Sequence, residues 1–522
     1  MPAPRRVRMN RRSPSTSLRH SRRHPAHRPP IPMSSPPSKP ASSPPRRVAV
    51  VGGGITGLAA AHRLLELDGS LQVRLFEASD RLGGVLQTER VDGFLVERAS
   101  DMFITNVPWA TDLCRRIGLE DQLISTNEAQ RRAFVVRRGR LYPVPEGFAL
   151  MTTRRPWPIL TSRLLSPWGK LRLLWEYFIP QRKTTEDESL ASFVRRRFGR
   201  EAFERLVQPL VAGIYTADAE LLSIEATLPR FPEMERLHGG LIRAALREPK
   251  NRDSDDSQSG GRYGLFVAPR EGMQQLVSTL AARLPERVVQ LGCPVHSVSA
   301  KPEGGWSLEI EHRAEHPAER AQPLERESFD AVIIAAPAFR AARLLSDFDS
   351  ELAGDLDTIP YAGAAVVCLG YRREQIAHAL NGFGLVVPEI EHRRILAASF
   401  GSVKFDGRAP EGHVLLRVFL GGAKDPESVA LDDETLRRIA CEELGELLGA
   451  RGEPIFCRVG RYQATMPQYH LGHLERVGEI ERRVAEHAGL ELAGNAYHGV
   501  GIPHSIHSGE SAAQRLLDGG DP

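Results

Sequence analysis

A glycine-rich turn followed by a distant acid is the most informative pattern in this chain of 522 residues. Residues 46–51 end in an apolar run that leads into Gly52-Gly53-Gly54-Ile55-Thr56-Gly57. Glu77 lies 20 residues after Gly57, at the end of a second mainly apolar run. In a strand–turn–helix unit, such glycines let the backbone approach a pyrophosphate, and the acid binds ribose hydroxyls. The pattern therefore predicts a dinucleotide site, and the carboxylate disfavours NADP because it would repel a 2′-phosphate.

Three elements must hold this site in place. We predict a buried strand over 48–51, a helix over 58–67 whose amide dipole faces the phosphates, and a strand over 72–76. Later segments indicate further parts of the same domain: a helix over 274–283, strands over 288–298 and 329–337, and a terminal helix over 505–517. The predicted fold class is α/β, a Rossmann-like domain built from discontinuous segments.

Two insertions separate these segments. The first is mainly helical, with helices expected over 190–198 and 200–210, and over 160–180 it interleaves leucine, tryptophan and tyrosine with arginine and lysine. That pattern suits a core-facing helix or a bilayer interface, so membrane contact stays open. The second alternates strands at 364–369, 385–387 and 414–420 with a helix at 433–448, which predicts a mixed sheet that binds substrate.

The predicted boundaries follow from these patterns. We predict a disordered basic tail over 1–45 and a helical insertion over 145–261. The nucleotide-binding domain is predicted over 46–104, 262–337 and 458–522, and the substrate-binding domain over 105–144 and 338–457. Two polar stretches, 249–261 and 314–328, are expected to be surface loops.

The net charge of +4 conceals an uneven distribution. Residues 1–47 hold 12 arginines or lysines and no acid, which leaves 57 bases against 65 acids in the remainder. Proline, serine, arginine and histidine dominate this tail, so we expect disorder, and nucleic acid is not an expected partner.

Five widely spaced cysteines indicate reduced thiols of a cytoplasmic protein. No apolar run approaches the roughly 18 residues of a spanning helix, so any membrane contact is expected to be peripheral, and a homodimer is allowed.

Further motifs are distributed from about residue 46 to residue 517. They include Arg81-Leu82-Gly83-Gly84 and the segments 164–172, 208–218, 381–388, 408–412, 466–469 and 493–503. Their order and spacing together are specific, and they resemble one family, the flavoprotein porphyrinogen oxidases of haem synthesis within the amine-oxidase superfamily. The resemblance implies non-covalent FAD, bound by Gly52, Gly53, Gly54, Ile55, Thr56, Gly57, Glu77, Ala78, Arg81, Gly83, Gly84, Val295, Gly494, Gly501 and Ile502.

The resemblance also implies the reaction. Protoporphyrinogen IX or coproporphyrinogen III would lose six electrons in three two-electron steps to the flavin N5, and dioxygen would become hydrogen peroxide. The cofactor carries this chemistry, so no catalytic side chain is expected. The terminal helix, entered through 499–503, would supply positive potential to the reduced flavin. Phe383, with Leu385 beside it, would contact a pyrrole, and Arg132 would bind a propionate.

Other features limit this interpretation. Where the family usually has Gly-Pro, this chain has Ala99-Ser100 before Asp101, which could alter flavin contacts. The alternatives are a flavin amine oxidase or carotenoid desaturase, or a flavin-binding protein without turnover. Flavin attached to a C-terminal cysteine is excluded because none follows Cys457. The pairs His470/His473 and His504/His507 lack further ligands at matching spacing, so no metal is expected, and Tyr469 is interpreted as a packing residue.

Overall fold

The computed structural model describes residues 46–519 except 147, 150, 154–155, 185, 248–264 and 313–323. The described residues belong to one compact unit. The tail predicted over 1–45 and the polar loop predicted over 249–261 lie outside the described residues.

The strands, in chain order, are β1 Arg47–Val51, β2 Gln72–Phe76, β3 Thr88–Val91, β4 Phe94–Glu97, β5 Phe103–Ile104, β6 Leu123–Ser125, β7 Phe134–Arg137, β8 Arg140–Pro143, β9 Phe148–Ala149, β10 Thr152–Thr153, β11 Phe266–Pro269, β12 Val289–Gln290, β13 Val295–Ala300, β14 Trp306–Ile310, β15 Glu325–Phe329, β16 Ala331–Ile334, β17 Tyr361–Arg372, β18 Gly384–Val386, β19 Ala397–Phe400, β20 His413–Gly421, β21 Phe456–Pro467 and β22 Leu490–Leu492.

The α-helices are α1 Ile55–Leu67, α2 Trp109–Ile117, α3 Pro156–Thr161, α4 Pro167–Leu174, α5 Leu190–Phe198, α6 Arg200–Ala202, α7 Gln208–Tyr215, α8 Ile224–Thr227, α9 Arg230–His238, α10 Leu241–Arg247, α11 Met273–Ala281, α12 Ala338–Leu345, α13 Ser350–Asp357, α14 Gly401–Lys404, α15 Asp433–Leu448, α16 His473–Val484 and α17 Ile502–Asp518.

A five-stranded parallel sheet, in the order β12-β2-β1-β16-β22, forms the first layer. Its central strand β1 is buried from Val48 to Val51 because both faces of the sheet are covered: helices such as α1 and α17 pack on one face, and the three-stranded sheet β13-β14-β15 with α12 and α13 packs on the other. Helices α1 and α17 pack closely, since a Cβ at Gly509 would overlap the carbonyl oxygen of Thr56. The carboxyl ends of parallel strands meet at one edge, which is where open α/β sheets bind ligands.

A seven-stranded mixed sheet, in the order β21-β17-β20-β19-β18-β7-β8, forms the second layer. One face packs against α15, through alternate residues such as Val367 and Val418. The opposite face meets the hairpin β3–β4 at one end, through Val366 and Leu415. At its other end the same face packs on the helices α3–α10, through Val135 and the half-buried Val386. The middle of this second face lies between the hairpin β3–β4 and the helices α3–α10.

The helices α3–α10 enclose a buried network of charges. Arg197 and Glu176 are both fully buried and form an ion pair. Glu176 also accepts hydrogen bonds from the amides of Leu241 (2.8 Å) and Ile242 (3.0 Å). Glu235 joins Arg197 to Arg196, at 3.5 and 2.8 Å respectively. These contacts hold the layer together from its interior.

The predicted α/β fold class is confirmed, whereas several predicted element bounds are wrong. Helix α1 begins at Ile55 and α17 at Ile502, each three residues earlier than predicted, so both helix N-termini directly follow their glycine turns. The strand expected over 288–298 is two strands, β12 and β13, and the helix expected over 200–210 contains a π-helical turn, Phe203–Val207. The loop expected over 314–328 ends in a strand, β15, because its residues pair with β14.

Candidate cofactor and substrate site

The glycine turn lies at the carboxyl edge of the five-stranded sheet. Gly52 has a φ of +112°, and a Cβ there would lie 2.5 Å from the carbonyl oxygen of Ala335. A Cβ at Gly57 would overlap the carbonyl oxygen of Gly52. By contrast, no chain atom lies within 4 Å of a Cβ built at Gly54. The turn therefore needs glycine for its own packing on one side and is open to a ligand on the other.

Glu77 is fixed beside this turn. One carboxylate oxygen accepts the Gly53 amide at 2.7 Å, and the other accepts the amide and hydroxyl of Ser79, both at 2.8 Å. A carboxylate offers about four acceptor positions and these contacts use three, so about one position remains for a ribose hydroxyl. The hydrogen bonds from Gly53 and Ser79 thus hold the Glu77 carboxylate in one orientation.

The segment after Glu77 folds back over the turn. The Gly83 amide donates to the Gly53 carbonyl at 2.8 Å, and a Cβ at Gly84 would lie 3.4 Å from the Gly54 Cα. Arg81 donates to the carbonyls of Leu82 (3.3 Å), Gly84 and Leu86 (3.1 Å). Arg81 therefore closes this loop against the glycine turn, which brings the predicted residues of both motifs together.

The predicted residues Ala78 and Val295 flank Glu77 on the other side. The Cys293 amide donates to the Glu77 carbonyl at 2.9 Å, so the chain that leads to Val295 runs beside the end of β2. Val295 is half-buried against a core cluster that includes Phe76, and Ala78 is exposed. Both positions border the same edge of the sheet.

The loop between β22 and α17 completes this edge. The Gly494 amide donates to the Ser508 hydroxyl at 2.9 Å, and Gly501 is the N-cap of α17, followed by Ile502. Helix α1 starts at the same edge, with Ile55 and Thr56 in its first turn. Free amides and aligned dipoles at two helix N-termini favour bound anions. Together with the open side of Gly54 and the fixed carboxylate of Glu77, these residues fit the pyrophosphate and ribose of a dinucleotide.

The segment 98–102 links this cradle to the seven-stranded sheet. Arg417, from β20, donates to the Ala99 carbonyl, and the Ser100 hydroxyl donates to the Met102 carbonyl at 3.0 Å. Asp101 forms ion pairs with Lys404 at 2.8 Å and with Arg417 at 2.9 Å. Burial opposes ionisation of Asp101, but the two cations outweigh it and hold the pKa of its carboxyl well below its usual range. Burial lowers the pKa of Lys404, and its contact with Asp101 acts against that shift, so the triad places two basic groups on one carboxylate.

Glu97 lies just before this segment and caps another helix. It accepts the Met273 amide, at the start of α11, and the Thr88 hydroxyl, each at 2.8 Å. Burial raises the pKa of Glu97 to about 7. The two hydrogen bonds and the nearby Arg417 and Arg408 act to lower the pKa and offset part of this rise. The junction between the two sheets therefore contains a carboxyl group that titrates near neutrality.

The uncovered middle of the seven-stranded sheet is the candidate substrate face. Ser399 and Phe419 project from the same face as Arg417, and both are half-buried although their strands lie inside the sheet. Phe383 is buried, and its amide donates to the Arg132 carbonyl at 2.8 Å, so two predicted substrate residues are neighbours. Arg132 is exposed and forms no ion pair with any carboxylate in the described part of the chain. Its guanidinium remains available to an anionic group.

Leu385 lies on the other face. It is 2% exposed and packs in the core beneath α15, on the same face as Ala398. Phe419 and Val386, rather than Leu385, border the open face of the sheet.

Sequence reasoning missed Phe419, Lys404 and Arg417 as site residues. The signal for Arg417 was a charge inside the apolar run Leu-Leu-Arg-Val-Phe, but only the fold shows that Lys404 and Asp101 meet it.

The histidine pairs contribute to packing. His507 stacks on Trp109 with ring centroids 4.0 Å apart, and His504 contacts the same indole edge-on at 5.1 Å. Across residues 46–519, with the gaps given above, no group of three or more histidines, cysteines or acids could hold a metal ion. Within that same part of the chain, no helix combines the length and apolarity needed to cross a membrane.

Comparisons with known proteins agree with this geometry. The family described as flavin containing amine oxidoreductase matches residues 55–517. Coproporphyrinogen III oxidase of Bacillus subtilis (strain 168) is 32% identical over 477 residues, which cover 90% of this chain and 98% of that protein. Protoporphyrinogen oxidase 2, chloroplastic/mitochondrial, of Arabidopsis thaliana is 28% identical, covering 90% and 94%. A solved structure of a provisionally named protoporphyrinogen oxidase from Exiguobacterium sp. 255-15 has a TM-score of 0.78 at 28% identity and covers 91% of this chain and 99% of that one.

Proposed function

The chain belongs to the flavin containing amine oxidoreductases and, within them, to the FAD-dependent porphyrinogen oxidases, and on this premise we propose that it oxidises a porphyrinogen to the porphyrin in haem biosynthesis. Bound FAD supplies the hydride acceptor for each of three two-electron steps, and three dioxygen molecules take up the six electrons and six hydrogens as hydrogen peroxide. FAD binds without a covalent link.

One observation carries this proposal: a dinucleotide cradle and an uncovered apolar and cationic sheet face meet at one segment, 98–102. Arg417 donates to the Ala99 carbonyl from the sheet side, and Arg98 donates to the Val459 carbonyl of β21 at 2.7 Å. The segment is therefore fixed to the sheet from two strands. A tetrapyrrole on this face would lie next to the reactive part of a cofactor held in the cradle.

The chain's own residues bind and orient the substrate. The aromatic ring of Phe419 offers an apolar surface to a tetrapyrrole, and the hairpin β3–β4 and helices α3–α10 exclude water at either end of the face. The Arg132 guanidinium can form two parallel hydrogen bonds to a propionate. The role of Phe383 is to support this edge, since its amide is bonded to Arg132.

We propose coproporphyrinogen III as the preferred substrate. It carries four propionates, whereas protoporphyrinogen IX carries two, so it gains more from cations around the face. The exposed Arg132 supplies such charge directly, and the buried Lys404 and Arg417, which share the Asp101 carboxylate, add positive potential at segment 98–102. The name of the Bacillus subtilis relative supports this choice.

Peripheral membrane contact is a further part of the proposal. Helices α3 and α4 and the turn after α4 expose Trp157 (73%), Trp168 (79%), Trp175 (58%) and Phe178 (63%). The one acid between residues 156 and 181, Glu176, is fully buried, whereas Arg163 and Lys170 lie in the same stretch. Exposed aromatic rings beside basic side chains suit an anionic bilayer interface.

Vesicle sedimentation tests this contact. The wild type should bind vesicles with anionic lipids more than zwitterionic vesicles, and a Trp168→Ser, Trp175→Ser variant should lose that binding. Leu324→Ser, which removes an exposed apolar side chain elsewhere, is the control. Equal sedimentation of the wild type and the double variant would overturn the membrane proposal.

Porphyrin fluorescence in air tests the reaction. Each porphyrinogen is mixed in dim light with the purified yellow protein, and autoxidation is subtracted. We expect three oxygen molecules consumed and three peroxide molecules formed for each porphyrin, with faster turnover of coproporphyrinogen III. If neither porphyrinogen increases oxygen consumption, the proposed function is wrong; if protoporphyrinogen IX reacts faster, only the substrate preference is wrong.

A further inference from the structure

Two stacked rings lie beneath the loop that precedes α17. Tyr469 is 2% exposed and His473, the first residue of α16, is fully buried. Their ring centroids are 3.9 Å apart and their planes differ by 13°. Neither residue belongs to the glycine turn or to α17, so the pair approaches the cofactor edge from outside.

The pair is bonded to three backbone groups of the loop. The Tyr469 hydroxyl donates to the Asn495 carbonyl at 2.6 Å and accepts the Gly499 amide at 2.7 Å. His473 Nε2 lies 3.0 Å from the Tyr497 carbonyl. A carbonyl only accepts hydrogen bonds, so Nε2 must carry the proton. Burial lowers the pKa of His473 to about 4, which keeps its ring neutral near pH 7.

These contacts act together with others on the same loop: the Asn495 side-chain amide donates to the Thr465 carbonyl at 3.3 Å, and His498 Nε2 lies 2.6 Å from Glu481. Gly499 has a φ of +140°, which L side chains rarely adopt, and a Cβ there would overlap the His504 ring. Two residues later Gly501 is the N-cap of α17, whose first amides have no partner inside the helix. Any shift of Asn495 or Gly499 would change the direction in which those amides point.

We propose that Tyr469 and His473 are positioning residues that orient the N-terminus of α17 toward the flavin. This inference rests on the FAD site proposed above and concerns residues that do not touch the cofactor. The pair fixes both ends of the span 495–499, so the positive end of α17 is held where negative charge develops on a reduced flavin. Tyr469 thus has a role beyond the packing that its sequence position predicts.

Sulfite binding to the oxidised flavin tests this role. Sulfite adds to flavin N5, and the adduct is anionic, so its affinity reports positive potential at the ring without any porphyrinogen. Tyr469→Phe removes both hydrogen bonds and keeps the stacked ring. We expect sulfite affinity to fall about tenfold, because the loss of both hydrogen bonds releases the loop that orients the helix N-terminus. The midpoint potential of the flavin should fall as well.

Tyr371→Phe is the matched control. Tyr371 is 1% exposed, but its hydroxyl contacts the Cys441 sulfur at 3.4 Å beneath α15, away from the loop. This variant should keep the wild-type sulfite affinity. Sulfite affinity and potential that are unchanged in Tyr469→Phe would overturn the inference, as would an equal loss in Tyr371→Phe.

His473 gives a second test if Tyr469→Phe folds poorly. His473→Gln retains an N–H that can reach the Tyr497 carbonyl, whereas His473→Leu does not. We expect the glutamine variant to restore most of the sulfite affinity that the leucine variant loses. Equal affinities in the two variants would contradict the positioning role. If the wild-type protein binds no flavin, the proposed function fails and not merely this inference.

Discussion

The Asp101 carboxylate lies 2.8 Å from the Lys404 ammonium, and this buried pair joins the segment after the β3–β4 hairpin to the seven-stranded sheet. Arg417 approaches the same carboxylate at 2.9 Å and also donates to the Ala99 carbonyl. The segment that departs from the family's Gly-Pro pattern is therefore held by charge. The Asp101 carboxylate is the counter-ion of two buried cations, so its removal would leave both cations without a negative partner.

Asp101→Asn should destabilise the protein strongly. The substitution leaves Lys404 and Arg417 buried without an anion, which costs about 3–5 kcal/mol. Urea denaturation of the flavin-loaded protein measures this loss. Asp433→Asn, which removes an exposed partner of Arg461, should cost no more than about 1 kcal/mol. Equal costs for the two variants would show that the Asp101 cluster does not stabilise the junction.

Gly54→Ala should fold normally but bind FAD weakly. No chain atom lies within 4 Å of the new methyl group, so it can meet only the cofactor. We expect FAD affinity, measured by fluorescence titration of the apoprotein, to fall at least about tenfold, since every 1.4 kcal/mol of lost binding energy is tenfold. Gly354→Ala places a methyl in equally open space on α13 and is the control. Wild-type FAD affinity in Gly54→Ala would contradict the position assigned to the pyrophosphate.

Glu97 should make stability fall as pH rises from about 4.5 to about 7. Its ordinary pKa of 4.5 applies to the unfolded chain, and burial raises the pKa to about 7 in the folded protein. Within this window the folded state keeps a proton that the unfolded state has released, so each pH unit costs up to about 1.4 kcal/mol. Glu97→Gln cannot titrate. The difference in unfolding free energy between wild type and variant should therefore shift by about 3 kcal/mol between pH 4.5 and 7; parallel pH profiles would exclude the raised pKa.

Arg132→Met should weaken the binding of coproporphyrinogen III. The methionine keeps the apolar stem and removes the guanidinium, so we expect KM to rise about tenfold with kcat nearly unchanged, as for a lost charged hydrogen bond of about 1.5–3 kcal/mol. Steady-state porphyrin fluorescence gives both constants. Arg140→Met, at an exposed position on β8, is the control. An unchanged KM in Arg132→Met would remove Arg132 from the substrate site.

The sequence was sufficient for the parts of this molecule that depend on local chemistry. Gly52 and Gly57 could be predicted because a tight turn excludes side chains, and Glu77 because its spacing follows from a strand–helix–strand unit. Helix α15 was predicted with its observed bounds because Asp432 caps its start and Gly449 ends it in a left-handed conformation.

Contacts between distant segments could not be predicted. Asp101 lies hundreds of residues before Lys404 and Arg417 in the chain. Lys404 and Arg417 are themselves separated by a turn and part of a strand, so no local pattern pairs the three side chains. Leu385 was expected near substrate because it lies in the motif 381–388 that resembles the family's. The sheet face on which its side chain lies depends on the pairing of β18 with β7 and β19. Likewise, the spacing of Tyr469 and His473 does not reveal that both rings bond to the loop before α17.

Anaerobic mixing of the flavin-loaded protein with coproporphyrinogen III tests the central claim most directly. We predict that the long-wavelength absorption band of the oxidised flavin disappears as porphyrinogen is added, and that admitting air restores the band together with porphyrin fluorescence. A band that persists with both coproporphyrinogen III and protoporphyrinogen IX would contradict the assignment of this chain as a porphyrinogen oxidase.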